Sequence, residues 1–562
     1  GAAVTDVLDL TGGTGNVGLG SGALGTAMTT GTNNIAVGEN ALDAFTTGSD
    51  NVAVGDAAGS SITTGSYNVA IGSLTLDAAT TANSNTGVGY GVLSNATTGA
   101  ENTAVGVNAA QGTTTGANNV AIGTNALVSN TTGASNTAVG NTSLDANTTG
   151  SNNTAIGQDA LGAATTADSN TAVGLSALKL NETGTSNVAV GKDALRANLA
   201  DQNTAVGMDA LTANTTGDQS VAVGKDAAIN NTTGSQQVAV GKGALYTNTT
   251  SSANTAIGHQ SLYYNTGANN TAVGKEALKA NTTGDENVAI GTIALDANTT
   301  GVHNTAVGYN ALGANTTASN NTAMGMEALA SNTTGTSNVA VGQKALEANT
   351  TANGNTAVGL VALTLNTTGA NNTGIGKGAL SANTTGENNT AIGYHALDLN
   401  TTASNNVAVG ENALAANTTG TANVAVGQAA LDANTTANNN TAVGSSALTA
   451  NTTGHSNTAV GKNAGAAITT GDENVAVGSD ALEAATTANA NTAVGQNALL
   501  STTDGENNTA VGKSALASNT TGSNSVAIGA SALGAMTTAN ANLAIGKGAG
   551  AANTSGTENV FI

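Results

Sequence analysis

Residues 440–456 read Asn-Thr-Ala-Val-Gly-Ser-Ser-Ala-Leu-Thr-Ala-Asn-Thr-Thr-Gly-His-Ser, and close copies of this 17-residue unit fill the chain. Its first five residues, which we call the phrase, return with their glycine at Gly20, Gly38, Gly55 and onward to Gly546. A short fixed period is typical of a solenoid, in which each unit buries its apolar face only by stacking on its neighbours. The sequence therefore predicts one coil per unit, about 32 coils in all.

Three intervals depart from the regular step. Gly20 to Gly38 is longer than the others by a single residue, whereas Gly191 to Gly207 and Gly258 to Gly274 are each shorter by a single residue. Each change of length lies in the variable stretch before the next phrase. The phrase itself is never interrupted, which indicates that it is the structural constant of the coil.

The residue types favour β-structure over helix. Helical-pair repeats need roughly 33 to 47 residues and leucine-rich repeats about 20 to 29, so the present unit is too short for either. Thr, Val and Ile fill the phrase, and Gly and Asn separate the segments, which is typical of strands and turns. We predict an all-β parallel β-solenoid, with the phrase as main strand, Ala-Leu-x-Ala as a shorter second strand, and corners at Gly-x-x and Thr-Thr-Gly. Coils stacked about 4.8 Å apart would make a rod on the order of 150 Å long.

The side-chain core of such a coil is expected to be small. The two β-branched positions of the phrase share one face of the strand, and the residue between them is almost always Ala, which indicates a close backbone approach. Burying one Val and one Leu per coil gains about 1.5–3 kcal/mol each, whereas ordering a residue costs about 1–2 kcal/mol. We therefore expect ladder hydrogen bonds, stacked Asn and Thr side chains and contacts with sister chains to supply the remaining stability.

The domain organisation is predicted to be simple, with residues 1–19 as an N-terminal strand segment and residues 20–562 as a single continuous solenoid. The first segment contains an apolar run that could cap its own solenoid or pair with the last coil of another molecule. A bulky residue, Phe561, takes the usual Ala position in the last phrase, and the second Phe takes a corner Asn position. The residues predicted to act in capping or assembly are Val4, Val7, Leu8, Leu10, Phe45, Val560, Phe561 and Ile562.

Composition excludes several classes of function. The net charge of −22, with Lys and Arg numbering only 12, argues against binding to nucleic acid or to anionic membranes, and no apolar run is long enough to suggest membrane insertion. Residues 20–25 match Gly-x-Gly-x-x-Gly but lack a βαβ context, so no cofactor is expected. The four histidines lie in different units, and no catalytic constellation is visible. We predict a protein that is not an enzyme.

The repeated corner also matches an N-glycosylation signal. Asn-Thr-Thr forms the Asn-x-Thr acceptor pattern in many units. The same residues suit a stacked turn, because Asn tolerates left-handed backbone conformations. Both interpretations remain open for the candidate acceptors Asn130, Asn147, Asn214, Asn281 and Asn383.

The phrase and the x-x-Ala that follows it resemble the head repeat of trimeric autotransporter adhesins, the YadA-like family. Residues 423–431, Asn-Val-Ala-Val-Gly-Gln-Ala-Ala-Leu, and residues 525–533, Ser-Val-Ala-Ile-Gly-Ala-Ser-Ala-Leu, carry the likeness. Similar phrases occur in bacterial surface proteins and phage tail fibres. The resemblance implies a left-handed β-roll, three of which pack side by side into an adhesive head, although this unit is about two or three residues longer at the Asn-Thr-Thr-Gly corner.

These observations favour a structural subunit of an extracellular fibre or surface filament, located outside the cell or at its surface. The expected partners are other copies of the chain, in a head-to-tail filament or a homotrimer, and surface glycans or a host receptor. A ligand-binding solenoid that recognises ice or polysaccharide through Thr and Asn ladders is the first alternative. A phage tail-fibre shaft is the second.

Overall fold

The computed structural model describes residues 13–562, and the chain divides into two compact units, Gly1–Thr283 and Gly284–Ile562. Each unit is a parallel β-solenoid with a period of about 17 residues, which confirms the predicted fold class. No helix occurs between residues 13 and 562. Residues Val4, Val7, Leu8 and Leu10 lie outside the described part of the chain. The expectation of one continuous solenoid over residues 20–562 stays a prediction.

The phrase forms the strand in every coil, as the sequence predicts. In the first unit the strands are β1 Val17–Leu19, β2 Ile35–Val37, β3 Val52–Val54, β4 Val69–Ile71, β5 Thr86–Val88, β6 Thr103–Val105, β7 Val120–Ile122, β8 Thr137–Val139, β9 Thr154–Ile156, β10 Thr171–Val173, β11 Val188–Val190, β12 Thr204–Val206, β13 Val221–Val223, β14 Val238–Val240, β15 Thr255–Ile257 and β16 Thr271–Val273. From β1 to β16, each strand pairs in parallel with the next strand of this unit.

The second unit repeats this arrangement. Its strands are β17 Val288–Ile290, β18 Thr305–Val307, β19 Thr322–Met324, β20 Val339–Val341, β21 Thr356–Val358, β22 Thr373–Ile375, β23 Thr390–Ile392, β24 Val407–Val409, β25 Val424–Val426, β26 Thr441–Val443, β27 Thr458–Val460, β28 Val475–Val477, β29 Thr492–Val494, β30 Thr509–Val511, β31 Val526–Ile528, β32 Leu543–Ile545 and β33 Val560–Phe561. The register places like residues over one another, for example Ala425 beside Ala442.

The phrase alanine points into the coil, and its β-branched neighbours point out. Ala442 is fully buried, whereas Thr441 and Val443 are partly exposed, as strand alternation requires. The expectation that a phrase Val fills the core was therefore wrong. The narrow interior of this coil holds Asn440, Ala442 and three further buried side chains, Ala447, Leu448 and Asn451.

The Ala-Leu segment is a turn, so the predicted second strand was wrong. Ala447 and Leu448 are adjacent in sequence and both are fully buried, which strand alternation does not allow. The backbone is left-handed at Ser446 and at Leu448, with φ of 57° and 50°, and the same conformation recurs at the equivalent residues of most coils. This backbone directs two consecutive side chains inward at a conformational cost that the stack must offset.

The phrase glycine is required by the approach of the next coil. Gly444 has a φ of 143°, and a Cβ atom there would overlap the carbonyl oxygen of Gly461. Only Gly combines this backbone conformation with so close a contact. The strict return of glycine in every unit follows from this stacking contact.

Backbone hydrogen bonds join successive coils well beyond the strands. In the coil that begins at Asn440, the amides of Leu448 and Thr452 donate to the carbonyl oxygens of Ala464 and Thr469 in the next coil, at 3.0 and 2.9 Å. The amide of Ser446 donates to the carbonyl oxygen of Gln428 in the preceding coil at 2.9 Å. Turns as well as strands therefore stabilise the stack.

Two ladders of buried asparagine run inside the coils. The phrase Asn440 donates its backbone amide to Oδ1 of Asn423, and its own Oδ1 accepts the amide of Asn457, both at 2.9 Å. The corner Asn451 donates through Nδ2 to Oδ1 of Asn434 at 3.1 Å. Both asparagines of the coil also donate to a single carbonyl oxygen, that of Gly454, at 2.8 and 2.9 Å. This shared acceptor ties the strand to the corner across the coil.

The corner ladder is interrupted where another residue replaces asparagine. Oδ1 of Asn147 is buried without a hydrogen-bond partner, and the equivalent residue of the next coil is Ala164. Asn451 and Asn519 are left in the same state beside Ile468 and Met536. An unsatisfied buried acceptor costs about 1–3 kcal/mol, so these interruptions are weak points of the stack.

Loss of one phrase asparagine should loosen the stack locally. Asn119→Ala removes the Nδ2 bonds to Asn102 and Gly133, at 3.1 and 3.0 Å, and the acceptor for the amide of Asn136. We expect a loss of about 2–3 kcal/mol and roughly 30- to 150-fold faster amide exchange near Asn136. Hydrogen exchange by mass spectrometry measures this change, with Thr132→Ala at an exposed position as control. Equal exchange in the two variants would contradict a stabilising role for the ladder.

Repair of an interruption should have the opposite effect. Ala164→Asn gives Oδ1 of Asn147 a donor, in a corner position that holds Asn in most coils. We expect a gain of about 1 kcal/mol and roughly fivefold slower exchange in residues 147–170. The control Ala163→Asn adds the same side chain at the partly exposed neighbour. A faster exchange in Ala164→Asn than in the natural chain would refute the assignment of this acceptor as a weak point.

Candidate interaction surfaces

The outer side of the strands forms an uncharged surface of aliphatic and threonine side chains, which we call the sheet face. It consists of the two side chains on either side of the phrase alanine in every strand, and none of them is charged. The second of the two is always aliphatic or Met, and these side chains stay well exposed, as in Ile122 and Ile156, which are 40% and 39% exposed. The sequence indicated that these residues share a face but did not show that this face is the outer one.

The sheet face is a long, uncharged and mostly apolar strip. In the first unit, 16 strands spaced about 4.8 Å apart, each about 10 Å long, give a strip of roughly 750 Å². Since 8 of the 32 outward positions in this unit are Thr, roughly three-quarters of the strip is apolar, which is at the upper end of the about 300–600 Å² of the largest apolar patch on a typical monomer. The second unit carries a strip of the same kind over 17 strands, β17 to β33.

The predicted assembly residues within the described chain occupy different environments. Phe45 is fully buried and fills the corner asparagine position of its coil, with its ring beside Gly31 and Gly48. Phe561 follows Val560 in β33, opposite Ala544 of β32, and its ring packs against Gly550. Val560 and Ile562 are 65% and 94% exposed. The structure does not bring Phe45 together with the other three, and their predicted role in assembly stays a prediction.

The five candidate glycosylation residues all belong to the buried corner ladder. Their side chains have no exposed area, and each Nδ2 atom donates to a neighbouring side chain or carbonyl, as in Asn147 with Asn130 at 2.8 Å and Asn383 with Asn366 at 2.7 Å. Equivalent bonds are made by the remaining members, Asn130, Asn214 and Asn281. A glycan on any of these nitrogens would disrupt the packed coil, so the packing disfavours glycosylation at these residues, which stays a prediction.

The two threonines of each corner differ in exposure. The hydroxyl of the first donates to the carbonyl oxygen of the equivalent Thr in the next coil, for example Thr131 to Thr148 at 2.9 Å. The second is exposed. In the second unit it forms an unbroken row at Thr300, Thr317, Thr334, Thr351, Thr368, Thr385, Thr402, Thr419, Thr436, Thr453, Thr470 and Thr487.

A charged row lies along the Gly-x-x and Ala-Leu turns. Lys344 binds Glu347 of its own coil and Glu327 of the preceding coil, with Nζ to carboxylate distances of 3.0 and 3.3 Å, and this pairing raises the pKa of Lys344. Within coils, Lys225 and Asp226 lie 3.0 Å apart. Such exposed pairs contribute about 0–1 kcal/mol each, so they define the surface charge more than the stability.

A notch interrupts this row in the first unit. Gly162 takes the place after Leu161, between Asp145 in the coil before and Lys179 in the coil after, and the missing side chain leaves a cavity of about 240 Å³. Asp159 lines the same cavity; it accepts hydrogen bonds from the hydroxyl of Thr142 at 2.6 Å and from Nζ of Lys179 at 3.1 Å. The sequence analysis missed this site, although a Gly with Asp one unit before it and Lys one unit after it was visible.

The pKa values of the two carboxylates in the notch are shifted in opposite directions. The hydrogen bonds from Thr142 and then Lys179 lower the pKa of Asp159. Burial, followed by the nearby charge of Asp159, raises the pKa of Asp145. Opposite pKa shifts of two neighbouring carboxylates are more common at functional sites than on ordinary surface. In the described contacts, Asp159 pairs with Lys179, whereas Asp145 has no cationic partner within salt-bridge distance.

Other site types were not found in the described chain. Between residues 13 and 562, no three His, Asp or Glu side chains converge in a way that could hold a metal ion. That same stretch has no helix of sufficient length and apolar character to cross a bilayer. The sequence matches no model of a known protein family and no curated protein. The fold defines the class of protein, a parallel β-solenoid repeat protein. Because a fold does not determine a function, the function has to be inferred from the surfaces.

The acidic residues of the turn row give a pH-dependent term in stability. Burial raises the pKa of Asp77, whose Oδ1 has no hydrogen-bond partner. Because the folded-state pKa exceeds the unfolded one, ionisation opposes folding: the penalty is absent at pH below the unfolded pKa and complete above the folded pKa. We expect Asp77→Asn to raise the thermal midpoint at pH 7 and to leave it unchanged at pH 3.

A matched substitution controls for net charge. Asp56→Asn removes the same charge from an exposed position one coil earlier. Circular dichroism melting curves at pH 3 and pH 7 distinguish the two variants. An equal shift for both at pH 7 would mean that total charge, and not the burial of Asp77, sets the effect.

Proposed function

We propose that this chain is a non-enzymatic structural subunit of an extracellular fibre or surface filament, and that it associates side by side with copies of itself through the sheet face. The observation that carries the proposal is the uncharged strip on each unit, of roughly 750 Å² or more, in which an unbroken row of apolar side chains runs beside a row shared between aliphatic residues and Thr. Exposed apolar side chains in so regular a row are unfavourable in water and are stabilised by covering them.

A second copy of the chain is the partner that fits this strip. A copy offers side chains at the same spacing of about 4.8 Å, so contacts made by one coil are repeated by every other coil. The available area is close to the roughly 800 Å² per partner of a standard specific interface. Other proteins would need the same period to match the strip over its length.

Charge supports the same choice of surface. The chain carries 34 acidic and 12 basic residues, so two copies repel each other over most of their surface. The sheet face has no charged residue in any strand, and two copies meet there with the least repulsion. Acids on the remaining surface would then limit lateral growth and keep the assembly narrow.

The extracellular location rests on the resemblance described above. The chain has no cysteine, and the hydrogen-bonded stack supplies the rigidity that disulfides provide in many secreted proteins. The likeness of residues 423–431 and 525–533 to YadA-like head repeats favours an exposed, adhesive or scaffolding role. Protease treatment of intact producing cells tests this location, and resistance of the chain until lysis would refute it.

Charge introduced into the sheet face should weaken self-association. Replacement of Ile122, Val139 and Ile156 by Glu places three carboxylates on neighbouring outer positions. Each would be buried unpaired in the assembly at a cost of several kcal/mol, so we expect the dissociation constant to rise at least tenfold. Sedimentation velocity measures the change.

The control places the same three charges on the corners of the same coils. Thr132, Thr149 and Thr166 are exposed corner residues, and their replacement by Glu should leave the assembled mass unchanged. A natural chain that sediments as a 53.4 kDa monomer at tens of micromolar would overturn the proposal. Equal weakening by both triple variants would show that net charge acts, and not the sheet face.

A ligand-binding role is the second candidate, and the row of exposed threonines in the second unit favours it. Twelve hydroxyls from Thr300 to Thr487 follow one another at the coil spacing of about 4.8 Å, which suits a ligand with a regular lattice such as ice or a polysaccharide. Thermal hysteresis in a freezing assay would support the ice version. Its absence would leave polysaccharide as the only ligand of this kind to test.

A further inference from the structure

The notch at Gly162 is the described feature that combines a cavity, paired charges and an apolar wall. Its lining places the carboxylate of Asp145 on one side, the Asp159–Lys179 pair on the other, and Ala163 and Leu180 beside them. Leu180 is 45% exposed, so its side chain is in contact with solvent when the notch is empty. Hydrogen-bonding groups and a small apolar surface therefore face one space.

The notch is a local feature of sequence and not a property of the repeat. The position after Leu is also Gly at Gly25, Gly313 and Gly534, and the equivalent residues of the coils that follow these three are Asp43, Ala330 and Ala551. At none of these positions does a lysine in the following coil face an acidic residue of the preceding coil. The notch at Gly162 is distinct because Asp145 lies one coil before this glycine and Lys179 lies one coil after it.

The size and charge of the notch restrict its ligand. A cavity of about 240 Å³ is smaller than the roughly 300–1,000 Å³ of drug-binding pockets. Asp145 and Asp159 with Lys179 leave a net charge of −1, which disfavours anionic ligands. Carboxylates accept hydrogen bonds, and the ammonium of Lys179 donates them, so a ligand with neighbouring hydroxyl groups satisfies both walls.

We propose that this notch binds one pyranose ring that carries no acidic group. Two adjacent hydroxyls of the ring donate to Asp145 and Asp159, and a ring or hydroxyl oxygen accepts from Lys179. The C–H side of the ring packs on Leu180 and Ala163. The ring is one residue of a neutral or amino-bearing polysaccharide that lies along the turn row.

The raised pKa of Asp145 and the lowered pKa of Asp159 agree with these separate roles, because Asp159 is already bonded to two donors and Asp145 has capacity for another. The site is open to solvent, which suits a weak contact with one sugar of a long chain. The inference rests on the first unit alone and does not depend on self-association.

Ligand-observed saturation-transfer NMR on the full chain tests the proposal with three probes: methyl α-glucopyranoside, glucosamine and glucuronate. We expect binding of the first two in the millimolar range and none of glucuronate at the same concentration. Absence of binding by both of the first two probes would overturn the proposal. Equal binding of glucuronate would also overturn it, because the net charge of the notch would then play no part.

Two substitutions locate the binding. Gly162→Leu fills the notch; the backbone there is outside the left-handed region, and an added Cβ makes only ordinary contacts at 3.4 Å with Asp145 and Asp159. Asp145→Asn removes the acceptor charge without adding volume. We expect each to lower the affinity at least tenfold, and binding that persists in either would refute the site.

Gly534→Leu is the matched control, because it adds the same side chain at an equivalent, partly exposed position of the second unit, where the atom nearest to the added Cβ is the carbonyl oxygen of Ser531 at 3.2 Å. It should bind the probes as the natural chain does, and a similar loss in this variant would show that the effect is not local to the notch. Circular dichroism confirms that each variant keeps the β-solenoid. If Gly162→Leu does not fold, Asp145→Asn decides the outcome alone.

Discussion

The structure depends on asparagine side chains that replace a hydrophobic core. In each regular coil the phrase asparagine and the corner asparagine donate to one carbonyl oxygen, as Asn406 and Asn417 do to Gly420. The same side chains bind their equivalents in adjacent coils, so every buried amide serves both its own coil and the stack. Buried polar groups of this kind stabilise only when they are satisfied, which makes strict repetition a physical requirement.

This arrangement explains why the interior can be so small. Two alanines and one leucine per coil bury little apolar area, and a left-handed Leu adds conformational cost. Inter-coil hydrogen bonds from strands and turns supply what the apolar contacts lack. Stability then accumulates through contacts between neighbouring coils, as in other solenoids.

The period alone was enough to predict a parallel β-solenoid, because a unit this short leaves room for neither a helical pair nor a leucine-rich repeat. The assignment of inside and outside was not predictable in the same way. Val443 and Ala442 alternate in any strand, and sequence alone favours the larger side chain for the core. The structure selects Ala because only a small residue fits there: a Cβ built at the equivalent Gly374 lies 3.3 Å from the side chain of Leu363 and 3.2 Å from the carbonyl oxygen of Ala379. The candidate surfaces follow from this reversal, since the aliphatic residues that typically form a core lie outside as the sheet face.

The Gly162 notch was not predictable from the period, because it arises from residues in successive coils that come together only after stacking. The glycosylation motif recurs for a related reason, because its Asn faces inward and belongs to the corner ladder.

The two shortened coils have an implication for how such chains change over generations. One corner reads Asn198-Leu199-Ala200 and the other Asn265-Thr266-Gly267, yet β12 and β16 after them keep the register of their neighbours. Each shortened corner leaves an unpaired acceptor, at Asn181 and Asn248, but no break in the sheet. If unequal recombination adds or removes the codons of one whole unit, the hydrogen-bond ladders of the protein would re-form across the junction. The number of coils is therefore free to drift or to be selected while the fold stays the same.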